Sequence, residues 1–137
     1  MNVKEVVPFL HVSSMERSIR FYINGLGFAF RHKWEPEGKL RWCWLTLGGA
    51  SLMLQEFAEP PSPGGGITLN FTCEDAITLY NEFRARALNP SEPEVGNGLW
   101  VTEVVDPDGY KLFFNSPTDV AEDTKLSQVG ASQPTGP

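Results

Sequence analysis

The sequence lacks several features that would assign it to well-defined classes of protein. It has no run of about 18 consecutive apolar residues, so no transmembrane helix is predicted, and Glu5 and His11 interrupt the stretch that a secretory signal would occupy. Only two cysteines are present. Cys43 and Cys73 do not form a CxxC pair, and each lies in an apolar, strand-like run. We therefore expect a cytoplasmic protein whose reduced thiols are core residues.

Basic residues are too few for a nucleic-acid surface. Eleven Lys and Arg stand against 17 Asp and Glu, a formal net charge of −6, and no basic stripe is present to neutralise phosphates. An acidic protein is compatible with a cationic small-molecule ligand, although most acidic surfaces only serve solubility. A length of 137 residues that are 41% hydrophobic allows one compact domain or two small fused modules with a sizeable core.

Apolar periodicity and turn residues predict a strand, a helix and three further strands in the first half of the chain. Residues 6–12 are typical of a strand. Ser13 or Ser14 is placed to cap a helix over residues 15–24, and Gly25 is placed to end it. The three further strands are predicted at residues 28–34, 40–47 and 51–57.

The same order of elements returns after a stretch rich in proline and glycine at residues 58–66. A strand is predicted at residues 67–72 and a helix at 76–87. Further strands are predicted near Pro93 and at residues 99–105 and 110–115. This internal repeat of about 60 residues divides the chain into a first module (1–57), a linker (58–66), a second module (67–117) and a mobile tail (118–137).

Three motifs, in this order and around this repeat, carry a resemblance to a known family. They are Arg-Ser-Ile-Arg-Phe-Tyr at residues 17–22, Gly-Leu-Gly-Phe at 25–28, and Asp-Pro-Asp-Gly at 106–109 followed by Tyr-Lys-Leu-Phe-Phe. Over about residues 5–117 the chain resembles the vicinal-oxygen-chelate superfamily of glyoxalases, bleomycin-resistance proteins and extradiol dioxygenases. The resemblance implies an α+β fold in which two βαβββ modules form a cup-shaped mixed sheet with flanking helices, and it implies pairing of two chains as a homodimer.

The resemblance also implies where a metal ion would be bound in the enzymes of the superfamily. Carried over by the motifs, the four ligand positions fall near Val7, Met53, Thr68 and Phe113. None of these residues offers the imidazole or carboxylate that such an ion requires, so no metal or other cofactor is expected. This departure favours the bleomycin-resistance-like branch, whose members bind a drug in an apolar and aromatic cup without turnover.

Alternation along the predicted strands independently suggests a small-molecule site, because residues two apart share a face. Trp42 and Trp44 share one face of their strand, which is either the pocket face or the face packed beneath the helix. Trp34 or Trp100 is placed near the rim, and His32 is interpreted as a solvated strand end. The predicted ligand-binding residues are Phe9, His11, Trp42, Trp44, Gln55, Asn70, Phe113 and Asn115.

Three functions remain open from the sequence. The first is a metal-free protein that sequesters an antibiotic-like aromatic or cationic compound in a cup at the dimer interface, with Glu35, Glu37 and Glu59 as an acidic rim. The second is a lyase, isomerase or dioxygenase of the same superfamily with a relocated metal site, for example His11, Gln55 and Glu56. The third is a non-catalytic interaction module.

Overall fold

The computed structural model describes residues 2–58 and 66–132, which divide into two compact units, Met1–Gly65 and Gly66–Pro137. Most of the predicted linker, residues 59–65, and the last five residues of the predicted tail lie outside the described residues. Within the described ranges no helix combines the length and the apolar character needed to span a membrane.

Unit 1 (Met1–Gly65) is a four-stranded mixed sheet with one helix. The strands lie in the order β1-β4-β3-β2, with β1 parallel to β4 and the other two pairings antiparallel. The elements are β1 (Phe9–Val12), α1 (Met15–Ile19) with its π-helical continuation (Arg20–Leu26), β2 (Ala29–Trp34), a 3₁₀ turn (Pro36–Gly38), β3 (Trp42–Leu47) and β4 (Ala50–Glu56).

The helix of unit 1 begins where the sequence predicts and ends later. The hydroxyl of Ser14 caps α1 by accepting a hydrogen bond from the Arg17 amide at 3.3 Å. The chain then widens into a π-helical segment, and the left-handed residue that ends it is Gly27, with φ of 100°. Gly25 is buried inside this segment, so its predicted role as the helix end is wrong. The wider turn, with its i→i+5 hydrogen bonds, displaces the end by two residues.

Unit 2 (Gly66–Pro137) repeats the strand, helix and three strands of unit 1. Its sheet has the order β5-β8-β7-β6, again with one parallel pairing, between β5 and β8. The α+β class and the two βαβββ modules predicted from the sequence are thereby confirmed. The elements are β5 (Thr68–Thr72), α2 (Ala76–Ala85), β6 (Glu94–Gly96), β7 (Leu99–Val105), β8 (Lys111–Pro117) and α3 (Leu126–Ser132).

One face of the unit 1 sheet forms a hydrophobic core with the helix. The residues that alternate with the core residues project from the other face. Side chains alternate between faces along a strand, and the buried set alternates accordingly. The buried strand residues are Leu10, Val12, Cys43, Leu45, Leu52 and Leu54, which are accompanied by Tyr22 and Phe28. Every second residue of β1, β3 and β4 is thus available for the opposite face.

Residues 118–132 do not form the structureless tail expected from their composition. Val120, Leu126 and Val129 pack against a buried cluster of unit 2 that contains Trp100. The Glu122 carboxylate accepts hydrogen bonds from the backbone amides of the β6–β7 turn at 2.7 and 2.8 Å. The expectation of an unstructured tail is therefore corrected for this stretch. The helix, α3, has only seven residues, too few for its apolar spacing to stand out as a period in the sequence.

Candidate functional site

The strand register of unit 1 places a row of aromatic residues on the face opposite the core. Trp44 is paired with Met53 and with His32, and Trp42 is paired with Gln55 and with Trp34. On the other side of β4, Phe9 lies opposite Met53 and His11 opposite Gln55. Because residues directly opposite each other share a face, all eight side chains lie on one surface, which we call the open face. Trp42 and Trp44 therefore do not pack beneath the helix.

The open face contains a cavity of about 580 Å³, a volume typical of small-molecule sites. Its lining includes three of the predicted ligand-binding residues, Trp42, Trp44 and Gln55. Its full lining is His32, Lys33, Trp34, Trp42, Trp44, Met53 and Gln55. The interpretation of His32 as a merely solvated strand end is corrected, because a histidine that alternates in register with two tryptophans shares their surface.

Phe9 and His11 lie on the open face and do not line this cavity. The His11 ring packs against Phe57 with 4.0 Å between ring centroids, and against Phe9 at 5.8 Å. Phe9 remains 45% exposed. These two predicted ligand-binding residues thus form an aromatic group beside the cavity, and their contact with a ligand stays a prediction.

The Trp44 side chain is flanked by two basic groups. An irregularity in the pairing of β2 with β3, between Phe30 and His32, brings the Arg31 guanidinium carbon to 4.2 Å from the Trp44 ring centroid. The His32 ring lies 5.6 Å away. Arg31 also pairs with the Glu5 carboxylate at 3.3 Å. Arg31 was not predicted as a site residue, because an extra residue in a strand reverses the alternation and no local signal in the sequence marks it.

The indole N–H of Trp44 is buried and has no hydrogen-bond partner within the described ranges. A buried donor without an acceptor costs about 1–3 kcal/mol relative to one that is satisfied. The Trp44 donor is therefore an unsatisfied polar group that the described residues enclose.

The structure does not bring together the relocated metal site of His11, Gln55 and Glu56. Gln55 and Glu56 are consecutive in β4 and lie on opposite faces. The Glu56 carboxylate accepts a hydrogen bond from the Met15 amide at 2.9 Å and forms an ion pair with Arg41 at 2.9 Å. Glu56 thus binds the first residue of α1, on the face of the sheet opposite to His11. The hypothesis of a metal site formed by His11, Gln55 and Glu56 is therefore wrong, because the three side chains do not converge.

In enzymes of the superfamily that this chain resembles, four positions bind a metal ion. The residues at these positions in this chain do not suit a metal ion. Val7 precedes β1, Met53 lies on the open face, Thr68 is exposed at the start of β5 and Phe113 is half-buried in β8. Two hydrocarbon side chains, a thioether and a hydroxyl are not a ligand set for a divalent ion of this type. Over residues 2–58 and 66–132, no group of three or more His, Cys, Asp or Glu is placed to hold a metal.

The remaining predicted ligand-binding residues lie on the sheet of unit 2. Asn70 is paired with Phe113 across β5 and β8, and Asn115 lies on the same face. The Asn115 side-chain amide donates a hydrogen bond to the Asn70 carbonyl oxygen at 3.3 Å. Both amides therefore already have part of their hydrogen bonding satisfied within the sheet, and their contact with a ligand stays a prediction.

A sequence profile of the Glyoxalase/Bleomycin resistance protein/Dioxygenase superfamily matches residues 5–114. The chain belongs to this superfamily. The match covers both βαβββ modules and ends within β8, before the C-terminal helix α3. No curated protein sequence matches the chain.

Solved structures of other proteins share the fold of the chain. A bleomycin-binding protein complexed with bleomycin is 18% identical, with a TM-score of 0.69, and the match covers 83% of this chain and 98% of that one. TnmS3, an antibiotic binding protein from Streptomyces sp. CB03234, is 20% identical, with a TM-score of 0.65 and coverage of 86% and 99%. A bleomycin resistance determinant encoded on the transposon Tn5 is 17% identical, with a TM-score of 0.71 and coverage of 86% and 100%. At these identities the likeness establishes the fold alone.

Proposed function

We propose that the protein binds a mid-sized, partly aromatic, antibiotic-like compound in the cavity of the open face, without a metal ion and without chemical turnover. The observation that carries this proposal is a cavity of about 580 Å³ whose lining includes three indole rings. Flat aromatic faces favour stacking on planar ligands. The bleomycin-binding and antibiotic-binding proteins of the same fold support this class of ligand. Pairing of two chains, so that a partner completes each cup, belongs to the proposal and rests on the family resemblance.

The cavity also distinguishes this function from an interaction module whose cup is filled by the protein's own side chains. A cup filled by the protein's own side chains would leave no space of this size, and a preformed cavity is typical of small-molecule sites. The donor set at the family's metal positions, Val7, Met53, Thr68 and Phe113, likewise favours a binding protein over a metal-dependent lyase, isomerase or dioxygenase.

The acidic rim contributes less to this proposal than the aromatic lining does. Glu35 forms an ion pair with Lys33 at 3.8 Å, Glu37 lies exposed in the 3₁₀ turn, and Glu59 lies outside the described residues. The affinity is therefore expected to come from stacking and apolar burial.

The indole N–H signals of the ¹⁵N-labelled protein test this proposal. We expect titration with the planar, neutral probe anthracene-9-carboxamide to shift the signals of Trp34, Trp42 and Trp44. The signal of Trp100 should stay in place, because this residue is buried in the cluster of unit 2, and it serves as an internal control. Shifts of equal size in all four signals would contradict binding at the open face.

Two substitutions separate the aromatic lining from the acidic rim. Trp42→Ala should weaken probe binding by about tenfold or more, because it removes one stacking surface from the cavity. Glu37→Gln should change the dissociation constant by less than about twofold, because an exposed charge contributes little. Equal effects of the two substitutions would refute the cup proposed here.

A further inference from the structure

We infer that the ligand of the open face is an acidic aromatic compound, whose ring stacks in the cavity and whose negatively charged group pairs with Arg31. This inference rests on the proposed function and specifies its ligand class. It departs from the cationic ligand that the overall net charge of −6 had left open.

The first support is the placement of Arg31 at the edge of the aromatic lining. Its guanidinium carbon lies 4.2 Å from the Trp44 ring centroid, so the cation already stacks on one of the indoles. A guanidinium in this position presents its N–H donors in a plane that matches a carboxylate or sulfonate. A ligand ring in the cavity would therefore find an anion-binding group at its margin.

The second support is that the present partner of Arg31 is exchangeable. Arg31 pairs with Glu5 at 3.3 Å, and both side chains of this pair are 44% exposed. Exposed ion pairs of this type contribute little to stability. Glu5 precedes β1 and belongs to the irregular N-terminal segment. An acidic group of a ligand can thus replace the Glu5 carboxylate without disturbing the sheet.

The third support is the set of polar groups on the open face. Among the described strand residues of this face none is Asp or Glu, and the neighbouring Glu56 carboxylate is held on the opposite face by Arg41 and the Met15 amide. A cationic ligand would meet Arg31 and Lys33, whose partners Glu5 and Glu35 are exposed side chains outside the strands, whereas an anionic ligand would meet the guanidinium donors of Arg31.

The fourth support is the distribution of charge along the chain. Residues 1–65 contain seven Lys or Arg and six Asp or Glu, whereas residues 66–137 contain four and eleven. Unit 1 therefore carries a formal charge of +1, and unit 2 carries −7. The acidic character of the protein belongs to the unit that does not contain the tryptophan-lined cavity.

Three probes with one ring system and different charge test this inference. They are anthracene-9-carboxylate, the neutral anthracene-9-carboxamide and 9-(aminomethyl)anthracene as its ammonium ion, each titrated calorimetrically at one ionic strength. We expect the carboxylate to bind about tenfold more tightly than the ammonium ion, since charge-assisted hydrogen bonds of this kind correspond to about one decade or more of affinity.

Substitutions at Arg31 and Glu5 test whether Arg31 causes the preference for the carboxylate probe. Arg31→Gln should abolish the preference, so that carboxylate and amide bind this variant equally, whereas Arg31→Lys should retain part of the preference. Glu5→Gln should tighten carboxylate binding by about two- to fivefold, because it removes the competing anion. Arg20→Gln is the matched control: Arg20 pairs with Glu16 on the helix, and its loss should leave all three probes unchanged.

The outcomes separate this inference from the proposed function. Equal binding of the three probes, or tightest binding of the ammonium ion, with loss of binding in Trp42→Ala, would overturn the acidic ligand class and leave the aromatic cavity standing. Binding of none of the probes, with all four indole signals unmoved, would overturn both. An anion preference that persists in Arg31→Gln would overturn the assignment to Arg31.

Discussion

At the scale of single residues, the face of the sheet determines the chemistry of each side chain. Cys43 lies between Trp42 and Trp44 in β3 and points to the opposite face, into the core. Burial raises the pKa of its thiol to about 12. Burial also raises the pKa of the half-buried Cys73 thiol. A thiol whose pKa is raised is protonated at neutral pH and is a poor nucleophile.

We predict that both thiols react slowly with Ellman's reagent in the folded protein at pH 8. Cys73 should react more slowly than a free thiol, and Cys43 should react only when the protein is unfolded, because its thiolate fraction at this pH is very small. The labelling rate of Cys73 should rise with pH. In Cys73→Ser the folded protein should show no labelling on this timescale. Rapid reaction of Cys43 in the folded protein would contradict its placement in the core.

Some residues of the candidate site could be predicted from the sequence and others could not. Trp42, Trp44 and Gln55 could be selected because alternation in a regular strand fixes which residues share a face. Arg31 and His32 could not be placed, because the irregularity between Phe30 and His32 changes the phase of β2. Such a shift depends on pairing with β3, a contact between strands that no single stretch of sequence records.

At the scale of elements, the C-terminal helix α3 is part of unit 2. Its Leu126 and Val129 side chains cover the cluster formed by Ala76, Val95 and Trp100. The Ser127 amide donates a hydrogen bond to the Glu92 carboxylate at 2.7 Å. The helix is therefore held by both apolar and polar contacts.

Leu126→Ala should lower the free energy of unfolding by about 1–2 kcal/mol, as expected for truncating a partly buried leucine. Trp100 emission should shift to longer wavelength, because the indole loses part of its cover. Chemical denaturation followed by fluorescence measures both effects. Val105→Ala, at an apolar residue of the same unit that is 51% exposed, is the control and should change little. No change in Leu126→Ala would show that α3 does not pack on unit 2 in solution.

Long elements were predictable and their ends were not. The strand β7 was predicted at residues 99–105 and is observed as Leu99–Val105, since its apolar alternation is uninterrupted. By contrast, β1 begins at Phe9 instead of residue 6, because its register with β4 starts at the pair Phe9 and Met53. Pairing decides where a strand begins, and pairing is a tertiary contact.

At the scale of the whole molecule, the repeat of one strand–helix–three-strand module was visible in the sequence, because turn residues and apolar runs recur in the same order. The family was predicted from three motifs set around this repeat, and the match of the family profile to residues 5–114 confirms it. The ligand does not follow from the family or the fold, since function depends on the site. Here the candidate site is an aromatic cavity in unit 1.

We propose that this cavity holds an organic compound without a metal ion, and the retention of metal by the purified protein tests this proposal. The purified, tag-free protein is incubated separately with Zn²⁺, Ni²⁺, Mn²⁺ and Fe²⁺, desalted, and analysed for bound metal. Because Val7, Met53, Thr68 and Phe113 supply no suitable ligands, we predict less than about one-tenth of an ion per chain for every metal. Retention of about one ion per chain would contradict the account and would identify the protein as a metal-dependent member of its superfamily.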